Sequence, residues 1–179
     1  MELNAGAKRM DSKRVGLLFS IILLLACILC MILTYQILPD RIAVQFDLNN
    51  KPIRWQDKSG FIKFYLGILL GLNTLILVIL PSFLSRIPDS FINVPWRKYW
   101  FSNPEGRVEA LHRLQTVLAF TGAFVNLVYL FVCHIAYQEN TKSPFLHIPV
   151  DIGVYLVLFI AVVFVAGICL YMKPPKKED

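Results

Sequence analysis

The sequence predicts an all-α integral membrane protein: a four-transmembrane-helix bundle with a short extracytoplasmic β-hairpin-like loop between helices 1 and 2. Three observations predict this fold class. Apolar residues make up 56% of the 179 residues and charged residues only 17%, and the mean hydropathy of +0.59 is too high for a soluble domain of this length. The apolar residues form four long runs. The Lys and Arg residues fall in short clusters between those runs.

These runs are the predicted spans of a single membrane domain, residues 15–172. Each has 23 or 24 residues, which at 1.5 Å per residue crosses a ~30 Å hydrocarbon core with some tilt. The predicted spans are residues 15–38, 61–84, 114–137 and 150–172. The polar segments that remain are a basic N-terminus, three loops and a tail, at residues 1–14, 39–60, 85–113, 138–149 and 173–179.

The distribution of basic residues predicts the orientation. Twelve of the eighteen Lys and Arg residues lie in residues 1–14, 85–113 and 173–179, and six lie in the other loops and at their edges. Because cytoplasmic segments carry an excess of Lys and Arg, we expect both termini in the cytoplasm. The loops at 39–60 and 138–149 then face outward.

The loop at residues 39–60 alternates apolar with polar or small residues, which is typical of a half-buried strand. Its apolar members are Ile42, Val44, Phe46 and Leu48. Asn49 and Asn50 supply turn residues, and residues 53–55 can return antiparallel. An isolated hairpin is marginal in water, so this one must pack on the helix ends. We therefore expect an ordered hairpin with Trp55 packed.

Two roles are open for this hairpin. It is either a structural cap on the outer ends of the first two spans or a recognition surface for an extracytoplasmic ligand. The candidate recognition residues are Pro39, Asp40, Gln45, Phe46, Pro52, Trp55 and Lys58.

The loop at residues 85–113 interleaves aromatic and basic residues. This pattern suits a belt at the level of the lipid headgroups, and the alternative is a docking site for a soluble partner. The candidate interface or docking residues are Asn93, Pro95, Tyr99, Trp100 and Arg107. A helix is expected to begin near residue 104, with either Asn103 as N-cap and Pro104 at the first helical position or a capping box of Ser102 and Glu105.

Asn73 and Asn126 are the most polar residues near the centres of spans two and three. The two spans run antiparallel, so the amides reach nearly the same depth and are predicted to pair across the helix interface. The alternative is that they line a polar pocket for a solute. Gly67 and Gly71 form a G-x-x-x-G pattern, for which packing within the chain is favoured over dimerisation.

Two stretches resemble the bacterial domain-of-unknown-function 1648 family. The first reads Leu38-Pro39-Asp40-Arg41-Ile42-Ala43-Val44-Gln45-Phe46-Asp47, followed by Lys51-Pro52 and Trp55-Gln56-Asp57-Lys58. It is similar to the family's L-P-D-x-I-P-x-H-F-N, G-x-P-x-x-W and closing S-K. The second reads Asn93-Val94-Pro95-Trp96-Arg97-Lys98-Tyr99-Trp100, with Pro104-Glu105 and Arg107 after it. It is similar to the family's N-x-P-x-x-x-Y-W…P-E-x-R segment.

The sequence departs from the family pattern at three positions. Ala43 stands where the family has Pro, Gln45 where it has His and Asn50 where it has Gly. An amide neither titrates near neutral pH nor binds transition metals well, so Gln45 could not perform a proton or metal role if that His has one.

The resemblance implies a role at the bacterial cytoplasmic (inner) membrane. Sdp-type immunity proteins of this family protect a cell from a secreted antimicrobial peptide and recruit a repressor to the membrane. They carry further C-terminal spans, so the chain looks like their N-terminal module. The resemblance implies immunity to, or sensing of, an envelope-acting peptide.

We expect no enzymatic activity, because no nucleophile, base or metal set can be assembled on one side of the bilayer. The alternative function is an accessory subunit of a transporter or a small-solute permease. We expect no cofactor and no nucleic-acid partner. The expected partners are the lipid bilayer and either an extracytoplasmic peptide or a cytoplasmic regulatory protein, and the sequence leaves the oligomeric state open.

Overall fold

Four long helices dominate the computed structural model, which describes residues 2–47, 51–141 and 148–175. All four are long and apolar enough to cross a membrane, which is consistent with a multi-pass membrane protein. They are α1 (Glu2–Tyr35), a second helix made of α2 (Lys58–Thr74), a π-helical turn (Leu75–Ile79) and α3 (Leu80–Leu84), then α5 (Pro104–Thr141) and α6 (Val150–Tyr171). Helix α1 begins within the predicted N-terminal segment, whose residues include many good helix formers.

A two-stranded antiparallel hairpin joins α1 to α2, as the alternation predicts. Its strands are β1 (Arg41–Phe46) and β2 (Pro52–Asp57). The pairing slips between Ala43 and Gln45 and again before Phe46, so β1 contains a bulge at Val44. The predicted turn at Asn49 and Asn50, and Leu48 before it, lie outside the described residues.

Helices α1 and α5 run parallel and form the centre of the bundle. Gly16 lies against Ala119 so closely that a Cβ atom at Gly16 would be 3.0 Å from the Ala119 Cβ atom. Ala119 and Ala123 are both buried. Small residues on both helices therefore permit their close approach.

The second helix changes its winding just before Pro81. Proline has no N–H group, and its ring clashes with the carbonyl four residues earlier. The π-helical turn at Leu75–Ile79 lies directly before it, where one wider turn accommodates the lost hydrogen bond.

The prediction that Gly67 and Gly71 pack within the chain is wrong. A Cβ atom at either glycine would meet no described atom within 4 Å. The helices that α2 contacts lie on its opposite side, where Leu69, Asn73 and Ile76 are buried. The G-x-x-x-G face of α2 is therefore open.

Helix α6 is the most exposed of the four. Near its start Gly153 faces Phe131, whose ring leaves no room for a side chain there. Further along, the rings of Phe124 and Phe164 stack with centroids 4.8 Å apart. Most other large apolar side chains of α6 are exposed.

The loop between α3 and α5 contains a 3-10 turn (Asp89–Phe91) and the short helix α4 (Arg97–Trp100). The Oδ1 atom of Asn103 accepts a hydrogen bond from the backbone N–H of Gly106 at 2.7 Å. Asn103 therefore caps α5 and Pro104 is its first residue, which is the first of the two predicted alternatives.

Candidate functional site

Strand β1 is the inner strand of the hairpin, and it packs on the ends of the helices below it. Ile42 is fully buried and packs with Leu38 and Phe61. Val44 packs on the same cluster. The predicted common face of β1 therefore exists for these two strand residues, and it rests on α2 and α5.

Asn140 on α5 fastens β1 through its backbone. Its Oδ1 atom accepts from the N–H of Ala43 at 2.7 Å, and its Nδ2 atom donates to the carbonyl oxygen of Ala43 at 3.2 Å. One amide side chain thus satisfies both backbone groups at the edge of β1, much as a third strand would.

Lys58 closes the base of the hairpin. Its Nζ atom donates to the carbonyl oxygen of Leu38 at 3.1 Å and lies 3.5 Å from an Asp40 carboxylate oxygen. It also lies 4.9 Å from the centre of the Tyr35 ring. Because the ammonium contacts three residues between the end of α1 and the start of β1, Lys58 has a structural role in joining them. Asp40 itself stays exposed.

Asp57 caps α2 at the point where β2 ends. Its Oδ2 atom accepts from the backbone N–H of Gly60 at 2.6 Å and from the Ser59 hydroxyl at 2.9 Å. These two bonds, the Gly60 bond first, lower the pKa of Asp57, and the charge of Lys63 adds to the effect. The cap turns the chain directly from strand into helix.

Strand β2 is the outer strand of the hairpin, and it faces away from the bundle. Trp55 is 49% exposed, so the prediction that it is packed is wrong. Trp55 lies opposite Ala43, whose backbone is held by Asn140, so the helices lie under β1 and not under β2. The strand presents Ile53 and Trp55 as exposed apolar side chains.

The other predicted recognition residues divide between the surface and the underside of the hairpin. Pro39, Gln45 and Pro52 are exposed. Phe46, half-buried, faces the space beneath the hairpin. Gln45, at the position of the family's His, is thus a surface residue beside the bulge.

A cavity of about 240 Å³ lies beneath the hairpin. Its roof is Val44 and Phe46 of β1, and its walls come from α2, α5 and the start of α6. Glu139 on α5 supplies a carboxylate to an otherwise mostly apolar lining. The cavity can hold an apolar side chain, with a charge partner for a cation beside it.

The opposite end of the bundle is closed by Trp100. Its side chain is 2% exposed, and its Nε1 atom donates to the carbonyl oxygen of Met172 at 2.9 Å. The guanidinium of Arg113 lies 4.8 Å from the Trp100 ring centre, and its Nε atom pairs with Glu109 at 2.7 Å. The prediction that Trp100 belongs to a surface belt or docking site is therefore wrong, because its ring plugs the gap between α4, α5 and the end of α6.

The remaining candidates in this loop lie at its surface. Asn93 and Tyr99 are exposed and Pro95 is partly buried. Arg107 donates from Nε to Asp89 at 2.8 Å, which ties the loop to α5. Arg107 thus attaches the loop, while Asn93 and Tyr99 stay at its surface.

Asn73 and Asn126 pair as the sequence predicts. Each Nδ2 atom donates to the Oδ1 atom of the other amide, at 2.8 and 3.0 Å. The second N–H of Asn73 is directed to Leu69, and that of Asn126 to the carbonyl oxygen of Ser20. The pair therefore links α1, α2 and α5, and its amide hydrogens are used within the bundle rather than turned toward a pocket.

Sequence reasoning missed Asn140, Glu139 and Arg113. The first two follow the predicted end of the third span at residue 137, whereas α5 continues to Thr141. Polar residues just beyond an apolar run resemble ordinary loop residues, so only the helix length would have revealed them.

Residues 21–70 match the model of the family described as Domain of unknown function (DUF1648). The matched segment contains the part of α1 nearest the hairpin, from Ile21 onward, the whole hairpin and α2 as far as Leu70. The family resemblance carried by the hairpin residues is confirmed there, and residues 93–107 lie outside the match. No curated protein matches the chain. No solved structure matches it either.

Proposed function

We propose, from the premise that residues 21–70 form a module of the DUF1648 type, that the chain is a non-enzymatic protein of the bacterial cytoplasmic membrane. Both termini lie in the cytoplasm and the hairpin lies outside, because the end opposite the hairpin carries most of the basic residues. The protein recognises an envelope-acting antimicrobial peptide at the hairpin end. Recognition serves immunity or sensing.

The observation that carries the proposal is the contrast between the two strands. Ile42 and Ala43 of β1 are buried, and Asn140 holds the strand in place. Ile53 and Trp55 of β2 remain exposed. A rigid strand that presents an exposed aromatic side chain supplies contact area at little cost in conformational entropy.

The cavity beneath the hairpin suits the chemistry of such a peptide. Peptides that act on bacterial envelopes are amphipathic, with basic residues on the polar face. An apolar side chain of the peptide enters the cavity roofed by Phe46. A neighbouring basic side chain of the same peptide pairs with the Glu139 carboxylate. This arrangement favours cationic over anionic peptides.

The same geometry gives less support to the transport alternative. A solute route needs polar groups free to contact the solute. The amide hydrogens of Asn73 and Asn126 are instead directed to each other, to Leu69 and to Ser20.

The experiment that tests the proposal is survival under peptide challenge. A bacterial strain lacking the protein is complemented with the wild-type chain or with Trp55→Ala and exposed to a panel of cationic envelope-active peptides. We expect wild type to raise the inhibitory concentration of at least one peptide. Trp55→Ala is expected to lose this protection while its abundance in the membrane stays at the wild-type level.

Trp96→Ala is the matched control. Trp96 has nearly the same exposure as Trp55, 46% against 49%, but lies at the other end of the bundle. It should protect as wild type does. If no peptide distinguishes the complemented from the deletion strain, the recognition proposal is wrong; if Trp55→Ala reduces abundance as much as protection, the hairpin acts as a structural cap.

A further inference from the structure

A groove of about 650 Å³ runs along the side of the bundle, between α1 and α6 and over α5. Its volume lies within the range of small-molecule sites, roughly 300–1,000 Å³. Its polar lining residues lie at one end and its apolar residues fill the rest. The polar ones are Ser12, Thr116 and Tyr171, and the apolar ones include Phe120, Val163 and Phe164.

The groove exists because α6 meets α5 only at separated points. The Phe124–Phe164 stack lies at one of them, and the bond from Arg113 to the carbonyl oxygen of Tyr171 lies at the next. Between them stands Gly167, at which a Cβ atom would meet no described atom within 4 Å. A larger residue at Gly167 would fill the groove without displacing either helix.

The length of the groove matches one leaflet of a bilayer. Its lining on α6 extends from Val163 to Tyr171, which at 1.5 Å per residue is about 12 Å. One leaflet contributes about 15 Å, half of the ~30 Å hydrocarbon core. The groove thus fits a lipid acyl chain that enters from the membrane surface.

Two basic residues, Lys13 and Arg113, flank the polar end, and Arg113 is already paired with Glu109. Lys13 follows Ser12 on α1, and its Nζ atom donates to the neutral amide oxygen of Gln115 at 2.7 Å. Gln115 precedes Thr116 of the groove. Arg113 donates to the backbone carbonyl of Tyr171 and lies 5.4 Å from the Tyr171 ring centre. An apolar slot with cations at its mouth complements an anionic amphiphile.

We propose that this groove binds one anionic phospholipid, with an acyl chain between α1 and α6 and the phosphate beside Lys13. The inference rests on the proposed membrane insertion and not on peptide recognition. The lipid fills the space that α6 leaves open and attaches α6 to the rest of the bundle.

The test uses the full chain, purified in a mild detergent. Phosphatidylglycerol or phosphatidylcholine with identical acyl chains is added, and native mass spectrometry counts the retained lipids while thermal unfolding is followed. We expect one phosphatidylglycerol to be retained preferentially and to raise the unfolding temperature. Lys13→Gln should weaken its binding about fivefold, because one basic residue near the headgroup is lost.

Two leucine variants separate the groove from the general lipid shell. Gly167→Leu fills the groove and should lose the tightly retained lipid. Gly67→Leu is its matched control, because that glycine is equally open but lies on α2, and it should bind as wild type does.

Three results would overturn the inference. They are equal retention of the two lipids by the wild-type chain, unchanged retention by Gly167→Leu, and a change in oligomeric state caused by Gly167→Leu, which would make the groove a contact between copies. If Gly167→Leu does not fold, the Lys13→Gln comparison decides. A chain that stays in the aqueous phase without detergent would instead defeat the proposed membrane insertion.

Discussion

The two ends of the bundle use aromatic residues in opposite ways. At the hairpin end Trp55 is half exposed on the outer strand, whereas at the other end Trp100 is buried with its N–H bonded to Met172. The hairpin end also encloses a cavity under Phe46. Closure at the Trp100 end thus depends on a buried aromatic ring. At the hairpin end, strand β1 is held by the packing of Ile42 and by the bonds from Asn140, and the Trp55 ring stays exposed. We therefore expect substitutions at the Trp100 end to change stability and substitutions at Trp55 to change binding.

The largest expected effect is that of Trp100→Ala. The substitution removes a buried ring, its hydrogen bond to Met172 and its contact with Arg113, so the free energy of unfolding should fall by about 3–5 kcal/mol. Thermal unfolding of the protein in detergent measures the change. Phe91→Ala, at an exposed residue of the same loop, should change it by less than about 0.5 kcal/mol. Equal effects of the two variants would contradict the plug.

The second effect concerns the attachment of the hairpin. Asn140→Ala leaves the N–H and carbonyl groups of Ala43 without their side-chain partner, which should cost about 1–3 kcal/mol locally. Hydrogen exchange of residues 41–46 should become faster, while exchange around Trp100 stays unchanged. Asn140→Asp keeps the acceptor for the Ala43 N–H, so its exchange rate at residues 41–46 should lie between those of the wild type and Asn140→Ala. If Asn140→Ala also made exchange around Trp100 faster, the two ends of the bundle would not be independent.

The third effect is at the centre, between the two ends. Asn126→Leu removes the bonds to Asn73 and Ser20 and leaves one N–H and the Oδ1 atom of Asn73 without their partner, so the free energy of unfolding should fall by about 1–2 kcal/mol. The double variant Asn73→Leu/Asn126→Leu should recover part of the loss, because no amide is then stranded. A single variant as stable as wild type would show that the pair contributes little.

Regular patterns in the sequence predict the hairpin and the amide pair correctly. The wrong predictions, such as that for Trp100, come from patterns that are typical of two different structures. Alternation over Ile42 and Val44 indicated a strand, and counting along antiparallel spans brought Asn73 to the depth of Asn126. Aromatic and basic residues around Trp100 are typical both of a lipid-facing belt and of a core plug with a cation over the ring. The choice depends on the Met172 carbonyl, 72 residues later in the chain. The strand that faces the helices is likewise set by Asn140, which bonds to the Ala43 backbone and lies 97 residues later in the chain.

The smallest effect should be a response to acid at the hairpin end. Folding lowers the pKa of Asp57 through the bonds from Gly60 and Ser59. The carboxylate therefore stabilises the fold above the ordinary aspartate pKa, and this contribution is lost as the pH falls through the lowered value. Acidification into that range should lower the protection of backbone amides at the start of α2, measured as their exchange rate relative to that of the unstructured chain at the same pH, while protection around Trp100 changes less. Asp57→Asn retains a capping side chain without the titrating group, so protection at the start of α2 should then respond less to the same change in pH. An equal response of the wild type and Asp57→Asn would mean that another group causes the acid effect. The Asp57 cap would then contribute nothing measurable to the stability of the hairpin end.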